Sequence, residues 1–124
     1  QGAHTVRFSI QPDAAIADAV ALGYQRNLPT RSLSGSGPVA ALVTSSNPAV
    51  IVDTVKLAED RSGDLVVRLY ESLGTRASTT VLVDGEPRHA TVTDLLERGD
   101  SAAPAELTLR PFELVTLRFA GSDL

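Results

Sequence analysis

Carboxylates are the side chains best placed here to do chemistry. Glu59 and Asp60 stand together with Asp64 close behind, Glu71 closes an apolar run, and Asp94 and Glu97 flank two leucines. Cleavage of a glycosidic bond asks for little more than two carboxyl groups, one on either side of the bond. The first and last of these groups lie among turn residues, where acids ordinarily stay hydrated and catalyse nothing. Glu71 differs, because it follows LVVRLY and stands beside Arg68 and Tyr70; it reads either as half of a buried ion pair or as a residue on an outward rim. Other chemistries find less support. His4 and His89 have no HExxH or comparable spacing for zinc, there is no cysteine to serve as ligand or nucleophile, and no serine sits in a GxSxG elbow. The SGSG stretch at 34–37 lacks the GxxxxGK[ST] pattern and leads into a strand where a phosphate site needs a helix, so it reads as a linker. Sugar-stacking platforms are scarce as well: there is no tryptophan, and Phe8, Phe112 and Phe119 fall in strand-like runs where core packing accounts for them, leaving Tyr24 and Tyr70.

The elements that must carry these residues are mostly strands. HTVRFSIQ, residues 4–11, puts Val6, Phe8 and Ile10 on one side and Thr5, Arg7 and Ser9 on the other, the alternation of a half-buried strand. After Pro12, Asp13 is placed to cap one helix, AAIADAVALGYQRN, which Leu28-Pro29-Thr30 stops. Residues 31–38, RSLSGSGP, form a serine and glycine loop expected to be flexible. From Val39 on, six valine- and leucine-rich runs follow: VAALVTS, AVIVDTVKLA, DLVVRLYES, ASTTVLV, ATVTDLL and ELTLRPFELVTLRF. Turn residues separate them, and Asp84-Gly85 predicts a tight hairpin because it supplies positive φ. Pro111 lacks a donor and predicts a kink, bulge or edge position in the last run. The fold class that follows is all-β, an antiparallel sandwich of about 6–8 strands with one short N-terminal helix, as a single domain over residues 1–124.

Composition narrows the partners. At 124 residues, 43% hydrophobic and 21% charged, the chain has the makings of a real core. A net charge of -4 argues against nucleic acid or an anionic membrane surface as partner. Ten arginines against the single Lys56 fit a GC-rich coding genome; the absence of cysteine leaves the compartment open, and a cytoplasmic, bacterial setting is the expectation. The complete absence of methionine predicts a processed chain or a piece of a longer one.

Three ordered blocks carry a family resemblance. NPAVIVDTVKLAEDRSGDLVVRLYESLG, residues 47–74, resembles the C-terminal β-sandwich region of the family-38 α-mannosidases, where a V-K-x-A-E-D strand leads through a turn into one ending R-L-Y-E. DLLERG at 94–99 and LTLRPFELVTLRF at 107–119 extend the likeness. Upstream, GAHTVRFSIQP and the later Asn27-Leu28-Pro29 are similar to a G-x-H-x-F-x-Y-x-L-x-P strand and the helix end that follows it. The resemblance spans nearly the whole chain except 31–38 and 75–92.

That resemblance implies a parent enzyme that hydrolyses terminal α-mannosides with retention, using an aspartate nucleophile and a divalent metal, usually zinc, held by an N-terminal α/β domain. No position here matches the nucleophile or metal motifs, so no catalytic and no metal-binding residue is assigned. The implied role is a non-catalytic module packed on the parent's own catalytic domain, reaching mannose-containing glycans only through it. Lys56, Glu59, Asp60, Arg68 and Glu71 are the candidates for a substrate rim, since they lie in or beside the matching blocks. A carbohydrate-binding module and a fibronectin-like spacer are the competing readings.

Overall fold

The computed structural model describes residues 2–32 and 34–123. The chain falls into two compact units, 1–33 and 34–124, divided within the serine and glycine loop. The described residues of 31–38 carry no helix or strand, and Leu33 lies outside them.

In the first unit, α1 spans Ile16–Asn27. Its N-cap is Ala15, whose N–H donates to Asp18 Oδ2 at 2.9 Å, so the capping expected of Asp13 falls to Asp18 from within the first turn. Leu28, ahead of Pro29, ends the helix in an extended conformation. Segment 4–11 is not the half-buried strand its alternation predicts. It has no strand partner in this unit, and Val6, Phe8 and Ile10 stand exposed. A strand without a ladder leaves its backbone to water, and the pattern alone cannot supply the missing neighbour.

The second unit is the sandwich. Its strands are β1 (Val43–Ser45), β2 (Val50–Leu57), β3 (Leu65–Glu71), β4 (Ala77–Thr79), β5 (Val81–Val83), β6 (Glu86–Pro87), β7 (Thr91–Thr93), β8 (Ser101–Ala102), β9 (Leu107–Leu109) and β10 (Leu114–Phe119). They form a five-stranded sheet in the order β2-β3-β10-β7-β8, a three-stranded sheet β1-β5-β6 and a pair β4-β9, all antiparallel. Dividing ASTTVLV and the long final run between two sheets turns the six runs into eight strands, and the two-residue strands β6 and β8, outside those runs, carry the count past the expected 6–8. Pro111 marks the second division: β9 ends at Leu109, a turn carries Arg110 to Glu113, and β10 starts in the other layer. The expected Asp84-Gly85 hairpin is present, with φ of 52° and 80° and Val83 facing Glu86.

Register decides which side chains face inward. Val50 and Val52 of β2 point to the core, and a bulge at Asp53 shifts the alternation so that Val55 and Leu57 keep that side while Thr54 and Lys56 turn outward. Without the bulge, Lys56 would leave the outer face. Buried Leu65, Val67 and Leu69 of β3 and Leu117 and Phe119 of β10 meet Val43, Ala77, Val81, Val83, Leu107 and Leu109 of the opposite layer. The reading of all three phenylalanines as core residues holds for Phe119 alone, at 1% exposure; Phe8 is 82% and Phe112 71% exposed. No helix among the described residues is long and apolar enough to cross a membrane.

Candidate functional site

The outer face of the five-stranded sheet gathers most of the ion pairs among the described residues. Pairing aligns Thr54, Arg68, Thr116 and Thr93 in one row across four strands, and Lys56, Val66, Arg118 and Thr91 in the next. Residues directly paired in a ladder point to the same side, so both rows share the face away from the core. Onto this face folds the loop that follows β7. Asp94 Oδ1 accepts the N–H groups of Leu96 at 2.8 Å and Arg98 at 2.9 Å, a side-chain turn that cuts the expected strand ATVTDLL short after Thr93. Glu97, held at φ 63°, is thereby carried to the sheet and buried.

Glu97 becomes the centre of one charged group. Its Oε1 lies 2.7 Å from Lys56 Nζ and 3.8 Å from Arg68 Nη2, and its Oε2 accepts the Glu59 N–H at 2.8 Å. Lys56 also pairs with Glu59, while Arg68 Nη2 donates to the Leu95 carbonyl at 3.0 Å. The hydrogen bond from Lys56, followed by the Glu59 N–H, holds the Glu97 carboxyl below its usual range, and hydrogen bonds to Glu59 and Glu97 raise Lys56. The structure thus brings together three of the sequence candidates, Lys56, Glu59 and Arg68, around an acid that the sequence reading assigned to a hydrated turn.

Asp60 belongs to a different group. Arg118 of β10 reaches Asp60 Oδ2 through Nη2 at 2.6 Å and Asp64 Oδ2 through Nε at 2.7 Å, and the Gly121 N–H closes on Asp64 Oδ1 at 2.9 Å. The Arg118 hydrogen bond, helped by the Ser62 N–H, lowers Asp60 to about 2. Arg118 was not among the sequence candidates. The available signal was its parity: it alternates with Leu117 and Phe119, which places it outside the core on a strand that must pair with the one after Asp64.

Glu71 stands apart again, at the end of β3 and on the core side. Successive residues of a strand point to opposite faces, so Tyr70 turns away from it. Of the two alternatives read for Glu71, burial holds but the ion pair does not: no cation pairs with it among the described residues. It is 0% exposed, and its carboxylate accepts hydrogen bonds from the N–H groups of Leu73 at 2.9 Å, Gly74 at 2.8 Å and Phe112 at 3.1 Å and from Thr75 Oγ1 at 3.3 Å. Burial pushes its pKa up, but the donors of Phe112, Leu73, Thr75 and Gly74 outweigh it and leave the carboxyl below its ordinary value. The anion joins the turn after β3 to the turn before β10. Phe112 sits there at φ 57°, a costly conformation for a bulky residue, with its ring against Gly74, which itself has φ 74°.

These carboxylates give a pH dependence whose sign is fixed. Asp60, Asp64, Glu71 and Glu97 all lie below their ordinary values of 3.8 for aspartate and 4.5 for glutamate. A carboxyl with a depressed folded pKa stabilises the fold above its unfolded value, and that contribution is lost as pH falls through the folded one. Thermal unfolding followed by circular dichroism should therefore show no slope from these groups above about pH 6, a Tm that starts to fall near pH 5, and the steepest loss between about 4.5 and 2. A Tm that holds level down to pH 3 would contradict the anionic cage at Glu71 and the Arg118 clamp together.

Each acid among the rim candidates is engaged by backbone N–H groups or cations, and among the described residues no three His, Asp or Glu side chains converge as metal ligands. The donors present do not fit zinc. A cavity of about 420 Å³ opens over Val81, Leu107, Leu117 and Phe119, with Arg88 and His89 in its wall and no carboxylate in its lining to act as acid or base.

With this geometry in place, comparison with known proteins is informative. The model of the glycosyl hydrolases family 38 C-terminal beta sandwich domain matches residues 49–117. Alpha-mannosidase 2C1 of Homo sapiens is 31% identical over 135 residues, covering 94% of this chain and 13% of that protein. Alpha-mannosidase 2C1 of Mus musculus is 29% identical over 132 residues, with the same two shares, 94% and 13%. The chain therefore spans about an eighth of the length of these relatives.

Proposed function

Because the chain belongs to the C-terminal β-sandwich domains of glycosyl hydrolase family 38, we propose that it is a non-catalytic module of an α-mannosidase, packing on and supporting a catalytic domain that lies elsewhere in the polypeptide. The observation that carries this reading is the saturation of the two acids buried in the sandwich, Glu71 and Glu97, and of Asp60, next to Glu59 in sequence. A glycosidase needs a carboxyl free to give up a proton and another free to attack or to activate water. Glu71, the most enclosed acid of the sandwich, already takes four donors, and Glu97 and Asp60 are bound to cations. The retaining chemistry and the divalent metal then belong to the catalytic part, and no step is assigned to the residues of this chain. Lys56, Glu59, Asp60, Arg68 and Glu71 hold the module's shape instead of lining a substrate rim.

The test is hydrolysis of an aryl α-mannoside by this chain and by the longer polypeptide of the same gene, each with and without added zinc. Turnover above 1 s⁻¹, on the order of an ordinary enzyme, is expected of the longer polypeptide, and none of this chain. Turnover by the 124-residue chain itself would overturn the assignment.

A further inference from the structure

The first unit wears its polarity inside out. Val6, Phe8 and Ile10 are 82%, 82% and 84% exposed, whereas Ser9 is the one half-buried residue of segment 2–13, its hydroxyl enclosed with no hydrogen-bond partner among the described residues. Thr5, Arg7 and Ser9 line a cleft shared with Ala19, Leu22 and Gly23 of α1, which Phe8 also borders, while Val6 and Ile10 stay outside it. Isolated apolar residues on a surface are ordinary, but three large ones in strict alternation on one extended segment make a contiguous stripe of the kind that marks an interface. Among the described residues no backbone hydrogen bond ties 5–11 to the rest of the chain. The segment therefore offers a free ladder edge together with an unburied apolar face, which is what a strand shows when its sheet is missing.

The comparisons show that longer chains share this segment. The sandwich family match begins at residue 49, yet the similarity to the longer relatives covers 94% of the chain and so extends well into the first unit, and the chain amounts to only 13% of their length. We propose that residues 5–11 are a strand contributed to the edge of a β-sheet in another part of the same polypeptide, with Val6, Phe8 and Ile10 buried against that sheet's apolar layer and α1 covering the opposite side. The inference rests on the reading of the chain as one module of a longer enzyme, and it names the element that joins the two. Two needs of the segment are met at once: the free N–H and C=O groups gain ladder partners, and the stripe leaves water.

Hydrogen exchange followed by mass spectrometry on the 124-residue chain and on the full-length polypeptide tests this directly. Amides of residues 5–11 should exchange at the unprotected rate in the short chain and at least about 100-fold more slowly in the long one. Phe8→Asp in the full-length polypeptide should remove that protection, while leaving the Tm of the 124-residue chain unchanged. Equal, unprotected exchange in both proteins would overturn the proposal. Protection that appears in the short chain and grows with its concentration would overturn it too, by identifying a second copy as the partner. Amide protection is read without turnover, so failure of the mannoside assay and failure of this inference are separate results.

Discussion

Glu71→Gln lowers the melting temperature of the sandwich by an expected 10–15 °C, roughly, although it changes one atom and leaves the shape intact. The reason lies in the donors. Four hydrogen-bond donors converge on the carboxylate, three of them backbone N–H groups, and an amide offers one acceptor oxygen where two are needed. Its NH2 group would face N–H groups in a site with no exposure to water, so donors are orphaned and a repulsion is added. Glu59→Gln is the control. That side chain is 83% exposed and pairs only at the surface, so its Tm should move by no more than about 2 °C. Thermal denaturation of both variants at neutral pH decides the matter. Equal small shifts would mean that Glu71 is not the anchor its hydrogen bonds describe.

Phe119→Ala is expected to cost about 3–5 kcal/mol, which for a small sandwich of ordinary stability removes most of the folded population at 37 °C. Phe119 is 1% exposed and meets both layers of the core, so truncation leaves a cavity that the surrounding strands cannot fill. Phe8→Ala and Phe112→Ala, at 82% and 71% exposure, should each cost less than about 1 kcal/mol in the same chain. Urea unfolding monitored by circular dichroism separates the three. A cost for Phe112→Ala as large as that of Phe119→Ala would show that its ring, lying on Gly74, carries the turn instead of decorating it.

Much of the sandwich could be read from residue pattern alone, and the exceptions have physical causes. The long strands β2 and β3 announce themselves because eight and seven residues of valine- and leucine-rich chain admit few alternatives. The bulge at Asp53 was also visible in principle, as a slip in parity between Val50, Val52 and Val55, Leu57. The division of LTLRPFELVTLRF was signalled by Pro111, but that of ASTTVLV was not. A change of sheet needs only one or two residues of irregular backbone, which Thr80 provides without any turn signal. The charged groups were the least legible. Arg118 meets Asp60 and Asp64 across more than fifty residues, and nothing local announces a pairing set by strand order. Glu71 misled because four of its partners are backbone or hydroxyl donors, which a search for opposite charges does not find. Segment 4–11 misled for another reason: alternation reports that a face will be buried, and it is silent about which molecule or domain buries it.

The polar contacts at the two ends of the β3–β10 pair also count residues. Six rungs join these strands, from Tyr70 opposite Leu114 to Leu65 opposite Phe119, and their core-facing side chains are leucine, valine and phenylalanine throughout. Such a surface would accept a slip of two residues with almost no loss of apolar contact, since parity is preserved. Glu71 forbids it at one end by requiring the Phe112 N–H, and Asp64 at the other by requiring Gly121 and Arg118. Substitution among the core-facing leucines and valines of either strand is tolerated so long as volume is kept, but a deletion or insertion of even one residue separates an anion from its donors. Length, more than side-chain identity, is what this pair of strands is built to keep.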